Sequence, residues 1–392
     1  MPTRPLDSKT SRSSRKRTRN KLPRRKRSLA VRVTPIQHTK AVQPALVRHT
    51  GNPVIEPNPE NSWESKATFN PAALSEAGKV HLLYRAIGDN DTSVLGYASS
   101  ADGRRFERSK RPAYEPREPF EGASPNVHVG ASHLVYLSGG GGRGGCEDPR
   151  LVQIGDRVYM IFTAFNGWNS IRIALTSISL EDFLNQEWNW KKPVLISPPG
   201  EIHKNWVIFP EKIRGKYAIL HSISPEILVD YFDSLDDFDG GKHIASCPGN
   251  RMPPAGCQDL WLRGVGPTPI KTKYGWLLLC QLMDTRDPNR YKLGAMILDA
   301  DDPTKVLYRS KKPILEPDEA YENQGWKAGV IYSCGAVVKD GDLIVYYGGA
   351  DRVVCAASAP LDRFLSELMG KGAPKLKSAG VTSGTSREQS ST

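Results

Sequence analysis

The chain has 392 residues with 35 glycines and 30 prolines, and 24% of its residues are charged. This length favours one large domain or two ordinary ones, and the composition is more typical of a turn-rich β protein than of a helical bundle. The net charge of +12 comes entirely from residues 1–33, which hold 13 Lys/Arg and one acid, because the rest of the chain has 41 basic and 41 acidic residues. These numbers argue against a basic, nucleic-acid-binding body.

The first predicted element is the basic arm, residues 1–33. Its segment SRSSRKRTRNKLPRRKRS has almost no apolar residues, so we expect the arm to be disordered. One interpretation is a solvated tail, and the other is contact with an anionic partner such as RNA or lipid, or with a sorting receptor. No signal-peptide-like apolar stretch follows, and the longest apolar run, 276–283, is far short of the roughly 20 residues that span a bilayer. A cytoplasmic protein without a membrane span is therefore predicted.

A short proline-containing phrase then recurs. It reads NPVIEP at 52–57, RPAYEP at 111–116, KPVLIS at 192–197 and KPILEP at 312–317. Its first prolines are 59, 81 and 120 residues apart, and the last gap is about two of the first. This recurrence indicates internal repeats of roughly sixty residues.

A second phrase, an apolar or aromatic stretch around a small residue or a proline, occurs five times, as TFNPAAL, CEDPRLV, WVIFPEKI, GVGPTPI and YSCGAVV. A strand pair with a turn follows each one, and the amphipathic crossover helices of α/β folds are not found. Five units of three or four short strands predict an all-β fold, a five-bladed β-propeller over residues 34–368. Residues 369–392 are predicted to be a disordered tail.

The six cysteines form no CxxC pair, so no zinc site is predicted. Several lie in apolar, strand-like runs such as LLLC and RVVC, which favours free buried thiols. A bridge between Cys247 and Cys257 is the alternative.

The second phrase is our candidate for the innermost strand of each blade, so its polar residues are expected to converge on one axis. Carboxylates and amides bind sugar hydroxyls, and arginine and lysine bind phosphate. Ordinary interpretations exist for single members, such as an ion pair for Arg85, a core histidine for His221 and a surface strand end for Glu211. The candidates are Asn70, Arg85, Glu147, Asp148, Arg150, Arg172, His203, Lys204, Asn205, Glu211, His221 and Asp351.

Residues 144–150, GGCEDPR, end a glycine-rich run and place two acids beside an arginine. One interpretation is an exposed acidic turn. The other is a carboxylate and a cation aimed into a pocket from the end of a strand, with the glycines letting the chain reach the rim of the cavity.

These motifs resemble glycoside hydrolase family 130, the β-mannoside phosphorylases and related β-mannosidases on five-bladed propellers. The resemblance covers about residues 50–365 and rests on the order and number of its motifs. They include FNPAAL (69–74), LLYRAIG (82–88), GCEDPRLV (145–152), HKNWVIFPEKIRGKYAILH (203–221) and YYGGAD (346–351).

The resemblance implies that Asp148, the aspartate of the EDPR motif, is the catalytic acid, which in many members acts through a hydroxyl of the mannose. It implies inorganic phosphate as co-substrate, with no other cofactor and no metal. Phosphate attacks the anomeric carbon from the opposite face and yields α-mannose 1-phosphate. By motif, the phosphate-binding candidates are Arg150, Arg172, His203 and Lys204, and the sugar-binding candidates are Asn70, Arg85, Glu147, Asn205, His221 and Asp351.

One position departs from the family pattern. Many family phosphorylases carry an arginine after the histidine of AILH, whereas this chain has Ser222. Loss of one phosphate anchor keeps inverting hydrolysis open as an alternative. Hydrolysis needs a second carboxylate about 6.5–9.5 Å from the acid, and Glu211 and Glu226 are the candidates for that base.

We therefore expect an enzyme that acts on β-linked mannosides or manno-oligosaccharides by phosphorolysis, with hydrolysis as the alternative. A non-catalytic sugar-binding propeller is a third hypothesis, which the complete EDPR motif disfavours. A homo-oligomer is compatible with the sequence. The linkage and the acceptor sugar are not determined by it.

Overall fold

The computed structural model describes residues 46–122, 142–167, 170–247, 260–284 and 287–371. Strands dominate these residues, which confirms the predicted all-β class. The predicted arm, residues 1–33, lies outside the described residues.

The largest sheet has eight strands and consists of two antiparallel groups of four. A short parallel pairing, in which Ser93 faces Gly145, joins the two groups. The first group is β2 (Ala67–Glu76), β3 (Lys79–Ile87), β4 (Thr92–Ser100) and β5 (Glu107–Arg108), and the second is β6 (Gly144–Ile154), β7 (Arg157–Phe165), β8 (Ile171–Ser179) and β9 (Val194–Leu195).

Three further antiparallel sheets follow. One contains β10 (Val207–Ile208), β11 (Tyr217–Ser222) and β12 (Leu228–Phe232). The next contains β13 (Leu260–Val265), β14 (Ile270–Thr272), β15 (Gly275–Asp284), β16 (Asp287–Leu298) and β17 (Val306–Arg309). The last contains β18 (Ile331–Lys339), β19 (Asp342–Gly349) and β20 (Val353–Pro360), and the early strand β1 (Val47–Arg48) pairs with β20. The last sheet therefore contains both the first and the last strand of the described residues.

Helical segments are short in the described part of the chain. They are α1 (Leu180–Asn185), α2 (Ala320–Asn323) and α3 (Leu361–Lys371), with 3-10 turns at Pro119–Glu121 and Leu235–Asp237. Helix α3 includes the first three residues of the tail predicted at 369–392, and residues 372–392 lie outside the described residues. No helix among the described residues is long and apolar enough to cross a membrane.

Alternate residues of the central strands face different cores, as the period of a strand requires. On β15, Leu277 packs in a cluster with Val345 of β19, whereas Leu278 packs with Leu220 of β11. A buried apolar cluster of this kind lies between each two consecutive strand groups: β2–β5 with β6–β9, β6–β9 with β10–β12, β10–β12 with β13–β17, and β13–β17 with β18–β20. Another lies between β18–β20 and β2–β4.

The proline-containing phrases lead into buried glutamates. Glu121 accepts a hydrogen bond from the Tyr114 hydroxyl at 2.7 Å, and Glu322 accepts one from the Tyr347 hydroxyl at 2.8 Å. Each of these two carboxylates also accepts the backbone N–H three residues earlier. Glu64 accepts a tyrosine hydroxyl in the same way. The recurring phrase thus marks loops that a buried carboxylate holds against a strand, where an unpaired carboxylate would be costly.

Four cysteines are buried free thiols, namely Cys146, Cys280, Cys334 and Cys355. Cys247 is half-buried and is also a free thiol, so the alternative of a bridge from it is wrong. Cys257, the other cysteine of that alternative, lies outside the described residues. Among the described residues, no three His, Cys, Asp or Glu side chains are grouped as a metal site requires.

Candidate active site

Asp148 sits in a bulge of β6. Glu147 pairs with Thr163 and Arg150 pairs with Ile161, so Asp148 and the proline after it fall outside the ladder. Asp148 has a φ of 50°, in the left-handed region, and is only 3% exposed. Bulges re-aim side chains next to active sites, and this one turns the carboxyl toward β2, where the Asn70 side-chain amide donates to its Oδ1 at 2.8 Å. The exposed-turn interpretation of GGCEDPR is therefore wrong.

The same irregularity recurs on the other first strands. Asn70 has a φ of 47° within a register shift of β2, and Asn205 has a φ of 65° just before β10. Register shifts also occur on β13 and β18. In two copies of the second sequence phrase, the first strand of a group thus leaves its ladder and presents a polar side chain, Asn70 on β2 and Asp148 on β6. Asn205 lies just before the third copy.

Position 145, just before Cys146, must be occupied by glycine. Its φ is 111°, and a Cβ there would lie 2.1 Å from the carbonyl oxygen of Ser93. No other amino acid fits at this position, because the parallel pairing of β4 with β6 brings their two backbones together here. The glycine thus permits the contact between strand groups that precedes Asp148.

Arg85 of β3 holds the acids of this motif through buried ion pairs. Its Nη2 is 2.9 Å from Oε1 of Glu147, and its Nη1 is 3.5 Å from Oδ1 of Asp148. The Nζ of Lys204 lies 3.5 Å from Oε2 of Glu147. Since Arg85 and Glu147 are fully buried, these charges depend on one another for compensation.

Arg150 is braced by protein acceptors. Its Nη1 donates to the carbonyl oxygen of Asp148 at 2.8 Å, its Nε to that of Gly266 at 3.1 Å, and its Nη2 to that of Val265 at 3.1 Å. The Nη2 group also donates to Oδ1 of Asn205 at 3.0 Å. Four of the five N–H groups of this guanidinium are thus directed at protein acceptors.

Two buried histidines flank Trp206, with ring centroids 5.3 Å and 5.4 Å from it. Burial lowers the pKa of His203, although its Nε2 lies 2.7 Å from the carboxylate of Glu201. Burial also lowers the pKa of His221 to about 4. Both rings are therefore neutral at neutral pH, and they can offer hydrogen bonds but not charge.

The other predicted ligands are placed as follows. Arg172 donates to the carbonyl oxygen of Ser197, and its charge contributes to the lowered pKa of His203. Asp351 is buried, with a φ of 52°, in the turn between β19 and β20. Burial raises the pKa of the Cys334 thiol, and the charges of Asp148 and Asp351 raise it further, which places both acids near that side chain.

The structure does not bring the two candidate hydrolytic bases to this group. The side chain of Glu211 is 57% exposed and lies 3.6 Å from the Lys271 ammonium. Glu226 is exposed. The Ser222 hydroxyl lies 3.0 Å from the carbonyl oxygen of Glu226 and within the same hairpin, where its donor is used locally.

Several site residues were not selected from the sequence. Tyr332 of β18 donates its hydroxyl to Oδ1 of Asn205, and its ring lies 6.2 Å from that of Tyr291. Burial raises the pKa of Tyr291, but the charges of Lys327, Arg263 and Lys204 outweigh burial and lower it. Only Tyr332 carried a sequence signal, because it begins the fifth copy of the second phrase.

Known proteins share this architecture. A 1,2-beta-oligomannan phosphorylase of Thermoanaerobacter sp. is 38% identical over 322 residues, covering 80% of this chain and 96% of that protein. A beta-1,2-mannobiose phosphorylase of the same organism is 33% identical, with the same two coverages. The solved structure of the beta-1,2-mannobiose phosphorylase from Listeria innocua in complex with beta-1,2-mannobiose has a TM-score of 0.61 and 25% identity, covering 82% of this chain and 99% of that one.

A family model completes the comparison. The model of glycoside hydrolase family 130 described as beta-1,4-mannooligosaccharide phosphorylase matches residues 45–369. This range includes every strand that the structure describes and the whole group around Asp148. The chain therefore belongs to glycoside hydrolase family 130.

Proposed function

We propose that the site residues around Asp148 catalyse the phosphorolysis of β-mannosides. Phosphorolysis is the reaction of an enzyme of the phosphorylase type, as this chain is. A phosphate oxygen attacks the anomeric carbon, the glycosidic bond breaks with inversion, and the leaving oxygen takes up the proton of Asp148. The products are α-mannose 1-phosphate and a shortened acceptor. The observation that carries this proposal is the acid Asp148 in its bulge, held by Asn70 and Arg85, with the Lys204 ammonium 3.5 Å from the adjacent Glu147 carboxylate.

Phosphate is the co-substrate in this proposal. Lys204 supplies positive charge beside Glu147, the residue before the catalytic acid, and Arg172 adds charge near His203. The neutral His203 and His221 rings supply hydrogen bonds. The hydroxyls of the mannose would bind the remaining polar residues, which belong to the first and last strand groups. These are Asn70, Arg85 and Asp351.

Hydrolysis is supported less well. An inverting hydrolase needs a base positioned near the acid, and Glu211 and Glu226 are exposed, with Glu211 paired to Lys271 on the surface. Phosphate needs no such base, because it is already an anion and a nucleophile.

The closed propeller is part of the same proposal. Five antiparallel strand groups occur in order, each shares a buried apolar cluster with the next, and the last shares one with the first. Pairing of β1 with β20 supports closure of the ring. In such a ring the bulged first strands would meet at the axis, and the contacts of Asp148 with Asn70 and of Arg150 with Asn205 support this arrangement.

We expect β-1,2-mannobiose to be a better substrate than β-1,4-mannobiose, because the relatives at 38% and 33% identity are named for β-1,2-linked mannosides. Initial rates on β-1,2- and β-1,4-mannobiose should differ at least about tenfold, a difference that pocket contacts of 1–3 kcal/mol produce. Release of α-mannose 1-phosphate should require phosphate. Phosphate-independent release of free mannose would establish hydrolysis instead, and a β-1,4 preference would contradict the linkage.

Lys204→Ala should raise the KM for phosphate by about tenfold or more, because a charge-assisted contact contributes about 1.5–3 kcal/mol. The KM for the mannoside should change much less. Initial-rate kinetics with each substrate varied in turn measure both. Lys212→Ala is a matched control, since Lys212 stacks on the ring of Tyr217 at the surface. Equal changes in both KM values would contradict a phosphate role for Lys204.

A further inference from the structure

Arg150 lies two residues after the acid, yet the residue is only 3% exposed and its guanidinium faces protein acceptors. Those acceptors are the carbonyl oxygens of Asp148, Val265 and Gly266 and the Oδ1 of Asn205. Arginine binds phosphate through paired N–H donors in a planar fork. The donors of this fork are already distributed over separate segments of the protein.

The acceptors belong to different strand groups. The Asp148 carbonyl is in the β6 bulge, Asn205 immediately precedes β10, and Val265 ends β13. Asn205 also accepts the hydroxyl of Tyr332 from β18. One guanidinium therefore connects the bulge of the catalytic acid with the first strands of two other groups, and through Asn205 and Tyr332 with that of a third.

The bulge itself needs such restraint. A non-glycine residue with a φ of 50° is in a sparsely populated conformation, and Asp148 keeps it only if surrounding contacts fix it. The bond from Arg150 holds the Asp148 carbonyl, while Asn70 holds its carboxyl. Turning the guanidinium toward phosphate would leave the carbonyls of Val265 and Gly266 without this donor, which buried acceptors disfavour.

We infer that Arg150 is a positioning residue, which fixes the bulge that aims Asp148 and does not bind phosphate. The inference rests on the proposed function, because it acts through the acid role of Asp148. It replaces the phosphate-binding role that the EDPR motif alone suggests for this arginine.

The test compares two leaving groups. A mannobiose needs its leaving oxygen protonated, whereas a dinitrophenyl β-mannoside does not, so a defect that acts through the acid is rescued by the second substrate. Arg150→Met should lower kcat for mannobiose by about 10²-fold or more and change the KM for phosphate by less than about threefold. On the dinitrophenyl mannoside, most of that loss should disappear, as it should for Asp148→Asn.

Lys204→Ala and Arg157→Met are the comparison variants. Lys204→Ala should raise the KM for phosphate on both substrates, and Arg157→Met, which removes a single bond to the Ser177 hydroxyl at the end of β7, should behave like the wild type. If Arg150→Met raises the KM for phosphate as Lys204→Ala does, or loses the same activity on both substrates, Arg150 is a phosphate ligand and the inference is overturned.

Tyr332→Phe tests the same network without removing a buried charge, so it retains the fold if Arg150→Met does not. It should lower kcat for mannobiose by about tenfold, again with rescue by the dinitrophenyl mannoside. An unchanged kcat, or a loss without rescue, would contradict positioning through Asn205. Phosphate-independent release of mannose by the wild type would remove the proposed function, but the leaving-group comparison would still report on Arg150, because hydrolysis also needs the acid.

Discussion

Asp148→Asn should reduce turnover of a natural β-mannoside by about 10²–10⁴-fold, the usual contribution of a general acid. The amide cannot donate a proton as an acid, but its oxygen can still accept the hydrogen bond from Asn70. Asparagine also tolerates the left-handed backbone of this position. The variant should therefore remain folded while the chemical step fails.

Steady-state rates on mannobiose, together with the melting temperature, measure this effect. Asp340→Asn is the matched control, since Asp340 has a φ of 52° in a hairpin turn and its side chain is 89% exposed. That variant should keep normal activity. Near-normal turnover of Asp148→Asn on a substrate with a poor leaving group would remove Asp148 from the mechanism.

Features of local chemistry were predictable from the sequence. The recurring strand pairs and the lack of crossover helices predicted the all-β class. The EDPR motif identified Asp148 through the family resemblance, and the glycine-rich run before it marked the segment where Gly145 contacts Ser93. These signals all lie within a few residues of the feature that they predict.

Contacts made across strand groups were not predictable. Arg150 was assigned to phosphate by motif, but its backbone acceptors near β13 leave no mark in the sequence, since every residue carries a carbonyl. Lys327 lies over the ring of Tyr291 because the segment before β18 packs along β16, where the Tyr291 N–H donates to the Gly329 carbonyl oxygen. Glu211 belongs to the third copy of the second phrase, yet it lies in the exposed turn after β10. Strand register and turn geometry determine which of these side chains meet and which are exposed.

The sequence showed that the proline-containing phrase recurs, but it did not show which structural feature makes it recur. It reaches Glu121 and Glu322 only several residues later, and each carboxylate receives a tyrosine hydroxyl from a neighbouring segment. A buried acid that satisfies backbone donors is a structural device. The repeat therefore reported on loop construction, whereas the second phrase reported on the active site.

Arg85→Met should lower the free energy of unfolding by about 3–5 kcal/mol, because it removes one partner of a buried ion pair. Arg85 and Glu147 are both fully buried and 2.9 Å apart, and the guanidinium also lies 4.7 Å from the ring centroid of Phe69. Activity should fall as well, since Nη1 of Arg85 is 3.5 Å from the Asp148 carboxylate. Denaturant unfolding and steady-state rates measure the two effects.

Arg108→Met is the matched comparison, because Arg108 also faces a buried glutamate, Glu64 at 3.4 Å, but its own side chain is 29% exposed. Solvent screening should limit its effect to about 1 kcal/mol or less. Adding Glu147→Gln to Arg85→Met should recover part of the lost stability by removing the buried carboxylate charge that has lost Arg85, and it should not recover activity. Equal losses for Arg85→Met and Arg108→Met, or no recovery in the double variant, would mean that burial of this ion pair does not control the stability of the site.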